Sequence, residues 1–449
     1  MNISNSIENL FLNKNSENII AIGFGKKYVN NIKTDTNSIV FYVENKLPLN
    51  QIPENEIIPN TVNLENISYS TDVVEATKPE FIMGCYSSSS HPDILKLQTN
   101  TLPLKGGQEL IVFPENFTTN NYSYCTLGFL CVDSTDNKFV AITAAHPIVS
   151  RLQIAPNRNL TTESTNPYNT YEQNLTYNGS GYRPSVGIWE NKTNTNTPDI
   201  IISDYIKKYS NLSAESAVIN YTDVAVVSIG NNSFTTQSLI NIDSHKIYVP
   251  SGQTEYASAM EFATTEELNN LIQDNPIVYS TGRTTGPKGY FENSVDYNTN
   301  TGFFCRMYIE SMSNTTAITF QNTSYIFGDS ILFGYADDPP DETPPVSLGD
   351  SGSALIAEYP GGIRKIIGVV FARNGKWGYA NRIDKIVQEL DIRKWDWTES
   401  TDSTELSSRL QLASPSVIKK QINDPINSQA KTTIDNKTYY QSGFSKKRY

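Results

Sequence analysis

The sequence has 449 residues, a net charge of −12, three histidines and four cysteines. Its length predicts at least two domains with a sizeable core. Its acidic balance, with no basic stripe, argues against nucleic-acid binding, and no apolar run is long enough to span a membrane. Because the first residues lack the pattern of a signal peptide, we expect a cytoplasmic protein with free, buried cysteines and no metal or cofactor.

Residues 1–80 predict a small α+β domain. Short apolar runs at 19–24, 38–43 and 71–75, bounded by Gly, Asn and Thr, are typical of strands. The Pro-rich stretch 47–53 allows no more than one helical turn. No residues in this domain have catalytic spacing, so its role stays open.

Residues 81–397 predict a second domain of mainly β structure, because many short apolar runs alternate with polar loops. The predicted strands are 109–113, 124–132, 139–143, 223–229, 246–250, 277–281, 303–309, 317–320, 353–357 and 365–371. A capping box at Thr264 starts one predicted helix, and an apolar stripe over 382–390 marks another. Residues 151–211 form a polar excursion, and 398–449 a polar tail.

A turn of small residues, Gly349-Asp-Ser-Gly-Ser353, is the first candidate for chemistry. Glycines let such a turn bring its backbone close to a ligand. Ser351 could present its hydroxyl to a carbonyl carbon, while the N–H groups of Gly349 and Ser351 stabilise the oxygen that becomes negative. The alternative is an ordinary Gly/Ser β-turn before a strand.

A nucleophilic serine needs a base and an acid that orients the base. His146 ends the apolar run 139–146 among small residues, which suits a general base; the alternative is a hydrogen-bonded histidine at a strand end. His91 and His245 lie in polar contexts and are interpreted as surface residues. Asp223, at the head of a wholly apolar run, is the preferred acid, and Asp199 is a competitor of similar form.

Three stretches in the order His, Asp, Ser resemble the trypsin-like (chymotrypsin-clan) serine proteases: Ala144-Ala-His146, Asp223-Val-Ala-Val226 and Gly349-Asp-Ser-Gly352. The stretch Gly282-Arg-Thr-Thr-Gly286 is similar to a signature of a bacterial and phage subset, whose leader domain the region 1–80 also resembles. This resemblance implies a double β-barrel with a C-terminal helix, and an active site between the barrels.

The resemblance also implies a function, serine endopeptidase activity on proteins or peptides without a cofactor. His146 is then the base, Asp223 the orienting acid, Ser351 the nucleophile, and the N–H groups of Gly349 and Ser351 the oxyanion hole. The alternative is a protease fold that is inactive or used as a structural or binding module, for example in a phage particle. A phage origin implies association with the virion.

The sequence departs from the Lys- and Arg-specific members of that family at the substrate pocket. No acid stands at the pocket floor, where the chain has Pro345 and Val346, and Phe371 replaces a usual serine. The predicted pocket of Pro345, Val346, Phe371 and Ala372 is uncharged, so we expect a preference for small or apolar side chains.

No activation-type N-terminus precedes the predicted barrel, so the sequence predicts that the full-length chain is competent without N-terminal processing. In secreted relatives such a terminus neutralises the acid beside the nucleophile, here Asp350. We therefore expect Asp350 to have another internal donor. The candidates are Arg283, which is preferred, Arg373, a hydroxyl or backbone N–H groups, with water as a further option. The alternative for Arg283 is a surface position.

Overall fold

The chain is mainly β structure, as predicted. The computed structural model describes residues 3–14, 16–30, 32–82, 98, 103–112, 123–148, 176–177, 180–181, 186–188, 200–203, 206–210, 212–229, 244, 246–247, 261–289, 307–320, 322–335, 345–395, 432–434 and 437–439. Most of the predicted excursion and tail, together with Asp199, His91 and His245, lies outside these residues.

The first part of the chain forms one helix and five strands. These are α1 (Ile3–Leu12), β1 (Ile19–Val29), β2 (Ile32–Val43), β3 (Thr61–Leu64), β4 (Ile67–Glu75) and β5 (Glu80–Phe81). Two short 3-10 turns, Leu49–Gln51 and Glu54–Glu56, occupy the Pro-rich stretch between β2 and β3. The three strands predicted here are present, whereas α1 was not predicted.

The middle of the chain supplies two larger antiparallel sheets, a two-stranded hairpin and one strand that pairs with a later part of the chain. Its strands are β6 (Glu109–Val112), β7 (Ser123–Thr126), β8 (Phe129–Asp133), β9 (Lys138–Ala144), β10 (Thr176–Tyr177), β11 (Ser180–Gly181), β12 (Val186–Ile188), β13 (Ile200–Ser203), β14 (Ile206–Tyr209), β15 (Ile219–Asn220) and β16 (Val224–Ser228). One sheet has the order β13-β12-β6-β7. The other contains β14-β16-β9-β8, and a late strand completes its edge. The hairpin consists of β10 and β11, and the single strand is β15.

The last part of the chain forms a closed ring of strands. This part of the chain contains the following elements, six of which make the ring: β17 (Glu261–Phe262), α2 (Thr265–Asp274), β18 (Ile277–Gly282), β19 (Gly286–Lys288), β20 (Met307–Phe320), β21 (Thr323–Tyr335), β22 (Ala354–Tyr359), β23 (Ile363–Arg373), β24 (Gly378–Arg382), α3 (Ile383–Leu390), β25 (Ile392–Arg393), β26 (Thr432–Ile434) and β27 (Lys437–Tyr439). The ring has the order β21-β24-β23-β22-β18-β20, and β20 pairs again with β21. Closure removes exposed sheet edges.

The strands of residues 1–80 continue this ring rather than standing apart from it. β1 pairs antiparallel with β20, β2 pairs with β1, and β4 lies parallel to β2. Side chains add to the contact, since the Tyr42 hydroxyl lies 2.8 Å from Ser311 Oγ and Tyr28 donates to Glu310 (2.9 Å). The domain boundary at residue 80 therefore stays a prediction. One sheet contains strands from both sides of that boundary.

Two predicted helices are confirmed with their end signals. Thr264 caps α2 through its side chain, and Glu267 completes the capping box. In α3, the residues Ile383, Ile386 and Leu390 of the predicted apolar stripe are buried in the core. Among the described residues no helix is long and apolar enough to cross a membrane.

The longest hairpin was predicted only in part. The segments 303–309 and 317–320 belong to one strand, β20, as far as they are described, and β21 was missed. Buried polar residues hid the pattern: Ser311 donates to Asn314 (2.7 Å), whose amide donates back to Ser311 O (3.0 Å). The pairing of β20 with β21 shifts register at these residues, so strict alternation is lost.

A single apolar cluster joins the ring to the sheet that contains β9 and β16. It includes Ile142 and Val226 from that sheet, and Leu355 and Val369 from the ring. Each such side chain contributes about 1.5–3 kcal/mol on full burial. The site residues lie where these two layers meet. Cys125 and Cys131 are free and buried, as predicted, and burial raises the pKa of Cys125 to about 12.

Candidate active site

Strand register brings His146 and Asp223 together. Val224 at the start of β16 lies opposite Ala144 at the end of β9. Asp223 immediately precedes β16, and His146 follows β9 by two residues, so both leave the sheet at the same end. The N–H of Ala145 donates to Asp223 O (3.1 Å), which extends the ladder to the site.

The Asp223 carboxylate holds His146 through both backbone and ring. Its Oδ1 accepts from the His146 N–H (2.9 Å), and its Oδ2 lies 2.5 Å from Nδ1. Asp223 in turn donates its N–H to Asn381 Oδ1 (2.9 Å). His146 is 1 % exposed and Asp223 is fully buried, so these bonds offset the cost of burying a carboxylate. Asp223 therefore faces the imidazole.

The turn around Ser351 is shaped by two glycines with left-handed backbones. Gly349 has a φ of +100° and Gly352 a φ of +93°. A Cβ on Gly352 would lie 2.4 Å from Thr126 O and 2.8 Å from the Ala144 N, so only glycine fits there. This close approach seats the turn against the end of β9, two residues before His146.

Two polar atoms at this junction are buried without a hydrogen-bond partner: Ser351 Oγ and His146 Nε2. Ser351 Oγ and His146 Nε2 therefore do not hydrogen-bond to each other in this structure. Leaving a buried donor or acceptor unpaired costs about 1–3 kcal/mol. Unpaired buried groups are rare in folded proteins, and a catalytic role is one of the explanations for such a group.

Backbone N–H groups satisfy Asp350. Its Oδ2 accepts from Ser347 (2.8 Å), and its Oδ1 accepts from Thr284 (2.8 Å) and Thr285 (3.1 Å). Burial raises the pKa of Asp350, and these hydrogen bonds oppose the rise. The predicted internal donor is confirmed, but the preferred candidate Arg283 was wrong.

Arg283 instead pairs with Glu109, and both side chains are fully buried. The alternative of a surface position is therefore wrong too. The Arg283 guanidinium also lies over the Tyr124 ring, 5.1 Å from its centroid. A Cβ on Gly349 would lie 2.9 Å from Arg283 Cδ and Nη1, so the arginine forms the wall behind this glycine. Only the position of Glu109 in an apolar run hinted at its buried charge.

A segment that the sequence did not implicate lies against Gly349, Phe371 and His146, and the place it occupies is here called the cleft. Ile82 O accepts from the Gly349 N–H (2.7 Å), and the Ile82 N–H donates to Phe371 O (3.4 Å). The Phe81 ring stacks on the His146 imidazole at 4.6 Å and 24°. No motif marks residues 78–82, which is why sequence reasoning placed only a domain boundary there.

Three of the four predicted pocket residues are linked to residues 81–82: Phe371 and Ala372 through the backbone, and Val346 through a shared apolar cluster. Pro345, Val346, Phe371 and Ala372 are all buried. Phe371 and Ala372 belong to β23, where Ala372 is the register partner of Phe81. Val346 and Ile82 lie in the same apolar cluster. The surroundings of the Ile82 side chain are therefore apolar.

Metal ligands are not gathered at this site. Among the residues that the structure describes, no group of three or more His, Cys, Asp or Glu could hold a metal ion. His146 Nδ1 contacts Asp223, and the imidazole face is covered by Phe81. The second ring nitrogen, Nε2, has no hydrogen-bond partner in the described part of the chain.

No protein-family model and no curated protein matches the chain. Solved structures with a similar fold include a Nocardiopsis protease (12 % identity, 66 % of this chain, 100 % of that chain, TM-score 0.31). They also include Cellulomonas bogoriensis chymotrypsin (13 %, 66 %, 99 %, 0.32) and a glutamic-acid-specific serine protease (8 %, 65 %, 100 %, 0.33).

Proposed function

We propose that the protein is a serine endopeptidase in which Ser351 is the nucleophile, His146 the base and Asp223 the orienting acid. The observation that carries this proposal is the hydrogen bonding of these three side chains. Asp223 fixes the imidazole through Nδ1, while Nε2 and Ser351 Oγ are both buried and unpaired. A serine and a base that lack other partners are free to react with each other.

The chemistry follows from these positions. Ser351 Oγ attacks the carbonyl carbon of the substrate, and His146 Nε2 takes the hydroxyl proton. Asp223 accepts from Nδ1–H, which fixes the tautomer and stabilises the imidazolium. His146 then gives the proton to the leaving amine, and water releases the acyl group from Ser351 by the same route in reverse.

Gly349 supports the proposal as an oxyanion donor. Its N–H already donates to a carbonyl oxygen, that of Ile82, at 2.7 Å. A donor at 2.7–3.1 Å from a developing oxyanion is suited to transition-state stabilisation, and one such donor contributes about 2.7–4 kcal/mol. The N–H of Ser351 is the second proposed donor.

The surrounding turn explains why Gly282-Arg-Thr-Thr-Gly286 is needed. Thr284 and Thr285 bind Asp350 through their backbones, and Arg283 backs Gly349. A Cβ on Gly282 would lie 2.2 Å from Asp350 Oδ1, so the turn needs glycine there. We keep as part of the proposal the resemblance of this stretch to bacterial and phage proteases.

The substrate in this proposal is a protein or peptide with an apolar side chain before the cleaved bond. The pocket residues Val346, Phe371 and Ala372 carry no charge and are buried. A carboxylate or ammonium group placed among them would be desolvated without a partner. Peptide-library profiling should select aliphatic residues, and strong selection for Lys or Arg would contradict this specificity.

A fluorophosphonate probe tests the proposed nucleophile. We expect one adduct, mapped by peptide mass to Ser351, in a variant whose cleft is opened by Ile82→Gly. Ser351→Ala should abolish the adduct. Ser353→Ala is the matched control, because Ser353 lies in the same turn but its hydroxyl only accepts from Ser280 (3.2 Å), so labelling should persist. A folded Ile82→Gly protein without any adduct would favour the structural-module alternative.

A further inference from the structure

The chain crosses its own proposed active site after β4. The Ala76 N–H donates to Val43 O (2.8 Å), and Thr77 Oγ1 then accepts from the Gly375 N–H (2.9 Å) beyond the end of β23. Glu80 forms an ion pair with Arg373 (2.9 Å). The next two residues lie in the cleft, so the folded N-terminal strands deliver this short segment to the site.

The segment Glu80–Ile82, here called the cleft segment, binds as an added strand. It pairs antiparallel with β23, with Phe81 opposite Ala372 and Glu80 opposite Arg373. Peptides are commonly recognised in this way, since backbone hydrogen bonds supply affinity and side-chain pockets supply selectivity.

The two residues nearest the site each contact a different part of the proposed machinery. Phe81 stacks on the base, with ring centroids 4.6 Å apart. The Ile82 carbonyl oxygen accepts from the Gly349 N–H, and the Ile82 N–H donates to Phe371 O. The carbonyl held by an oxyanion donor is the one that a nucleophile attacks. Ile82 therefore has its own carbonyl group at the oxyanion donor.

We infer that the peptide bond after Ile82 is a substrate of Ser351 in the same chain. This inference rests on the proposed function and names its first substrate. The Ile82 side chain is fully buried in the same apolar cluster as Val346, which matches the expected preference for an apolar residue. Cleavage breaks the covalent link between residues 1–82 and the part of the chain that contains Ser351.

The step balances as a hydrolysis. Ser351 Oγ bonds to the Ile82 carbonyl carbon, and the C–N bond to Met83 breaks. The proton from the hydroxyl passes through His146 to the new Met83 amine. Water then cleaves the ester, which leaves a carboxylate on Ile82 and restores the Ser351 hydroxyl.

Cleavage leaves the two parts of the chain associated. β1 still pairs with β20, and Tyr42 and Tyr28 still bond to Ser311 and Glu310. The cleft segment, now ending at Ile82, has to leave before another peptide can enter. The inference is an alternative to the sequence-based prediction that the full-length chain is competent without N-terminal processing, and the experiments below decide between them.

Intact-mass measurement of the purified full chain tests the inference. The wild type should show a fragment of residues 1–82 and a second fragment that begins at Met83. The two should co-elute in native size-exclusion chromatography and separate under denaturing conditions. Ser351→Ala and His146→Ala should remain single chains. Cutting at the same bond in Ser351→Ala, or at another bond in the wild type, overturns the inference.

Variants of the cleft segment separate recognition from folding. Ile82→Val should be cut like the wild type, whereas Ile82→Asp should lose cutting by at least about 100-fold, because the carboxylate has no partner in the apolar cleft. Ile67→Asp is the matched control at an exposed strand position. Should Ile82→Asp fail to fold, Glu80→Lys serves instead: it replaces the ion pair with Arg373 by repulsion and should slow cutting a few-fold. An unchanged rate in the informative variant contradicts the inference.

Probe labelling distinguishes failure of this inference from failure of the proposed function. An uncut wild type whose Ser351 is labelled by fluorophosphonate overturns the inference and leaves the function standing. An uncut, unlabelled wild type whose Ile82→Gly variant is labelled shows a blocking segment that is never cut, which also overturns it. An uncut chain without label in either form removes both proposals.

Discussion

The two halves of the site are organised differently. In the half that carries His146, Asp223 is hydrogen-bonded directly to the His146 N–H, to His146 Nδ1 and to Asn381. These bonds fix the orientation of the imidazole. In the half that carries Ser351, the hydroxyl is unpaired and the neighbouring Gly349 N–H binds the carbonyl of Ile82. The proposed base and acid are thus held together by direct hydrogen bonds, whereas the Gly349 N–H beside the proposed nucleophile is taken by the Ile82 carbonyl.

This difference indicates where the fold places its constraints. The His146 half is fixed by the pairing of β9 with β16, a local consequence of sheet register. The Ser351 half depends on buried charges, since Asp350 and the Arg283–Glu109 pair shape its turn from behind. Removing a strand-end contact should therefore alter chemistry, and removing a buried charge should alter stability.

The largest expected effect comes from removing the hydroxyl of Ser351, the proposed nucleophile. Ser351→Ala should lower kcat for peptide hydrolysis by about 10⁶-fold, the scale seen when a triad serine is lost. The melting temperature should stay unchanged or rise slightly, because the substitution removes a buried hydroxyl that has no hydrogen-bond partner. Steady-state kinetics with calorimetry checks both. Residual activity within about ten-fold of wild type would contradict the assignment.

The next effect comes from the assembled half. Asp223→Asn keeps a side chain of the same shape but favours the wrong imidazole tautomer, so kcat should fall by about 10⁴-fold. NMR of the ring nitrogens should show the proton moved from Nδ1. If activity survives the substitution, Asp223 does not orient the base, and the distinction between the two halves fails.

A stability prediction tests the Ser351 half. Glu109→Leu leaves the buried Arg283 without its partner and should lower the free energy of unfolding by about 3–5 kcal/mol. Glu44→Leu is the control, because its ion pair with Lys78 is exposed and contributes less than about 1 kcal/mol. Urea denaturation measures both variants, and equal losses would contradict the proposed role of buried charge.

The smallest expected effect depends on pH. Burial raises the pKa of Glu389 from 4.5 to about 7, and Thr222, next to Asp223, donates to its carboxyl (2.6 Å). The folded state therefore holds a proton that the unfolded state loses. The resulting stabilisation is complete below pH 4.5 and is lost as pH rises through about 7, by up to about 3 kcal/mol.

Glu389→Gln should remove that part of the pH dependence. Urea denaturation at pH 4 and pH 8 gives the comparison, and only the difference between variant and wild type counts, since other groups also titrate. A wild-type slope that persists in the variant would show that Glu389 is not the group responsible.

The sequence predicted the elements whose signals are local. His146 and Asp223 each adjoin an apolar strand, and the glycines around Ser351 indicate a tight turn. The capping box at Thr264 predicts the start of a helix. Contacts that form only in the tertiary fold were out of reach. Nothing near Glu109 identifies its partner as Arg283, and nothing in residues 80–82 shows that they lie against a turn so distant in sequence.

One measurement tests the central claim most directly: the intact mass of the wild-type protein with and without a fluorophosphonate. We predict that the chain is cut after Ile82 and that, once the cleft segment is displaced by a competing apolar peptide, the fragment beginning at Met83 gains a single adduct on Ser351. An uncut chain that gains no adduct, even when Ile82→Gly opens the cleft, would contradict the account.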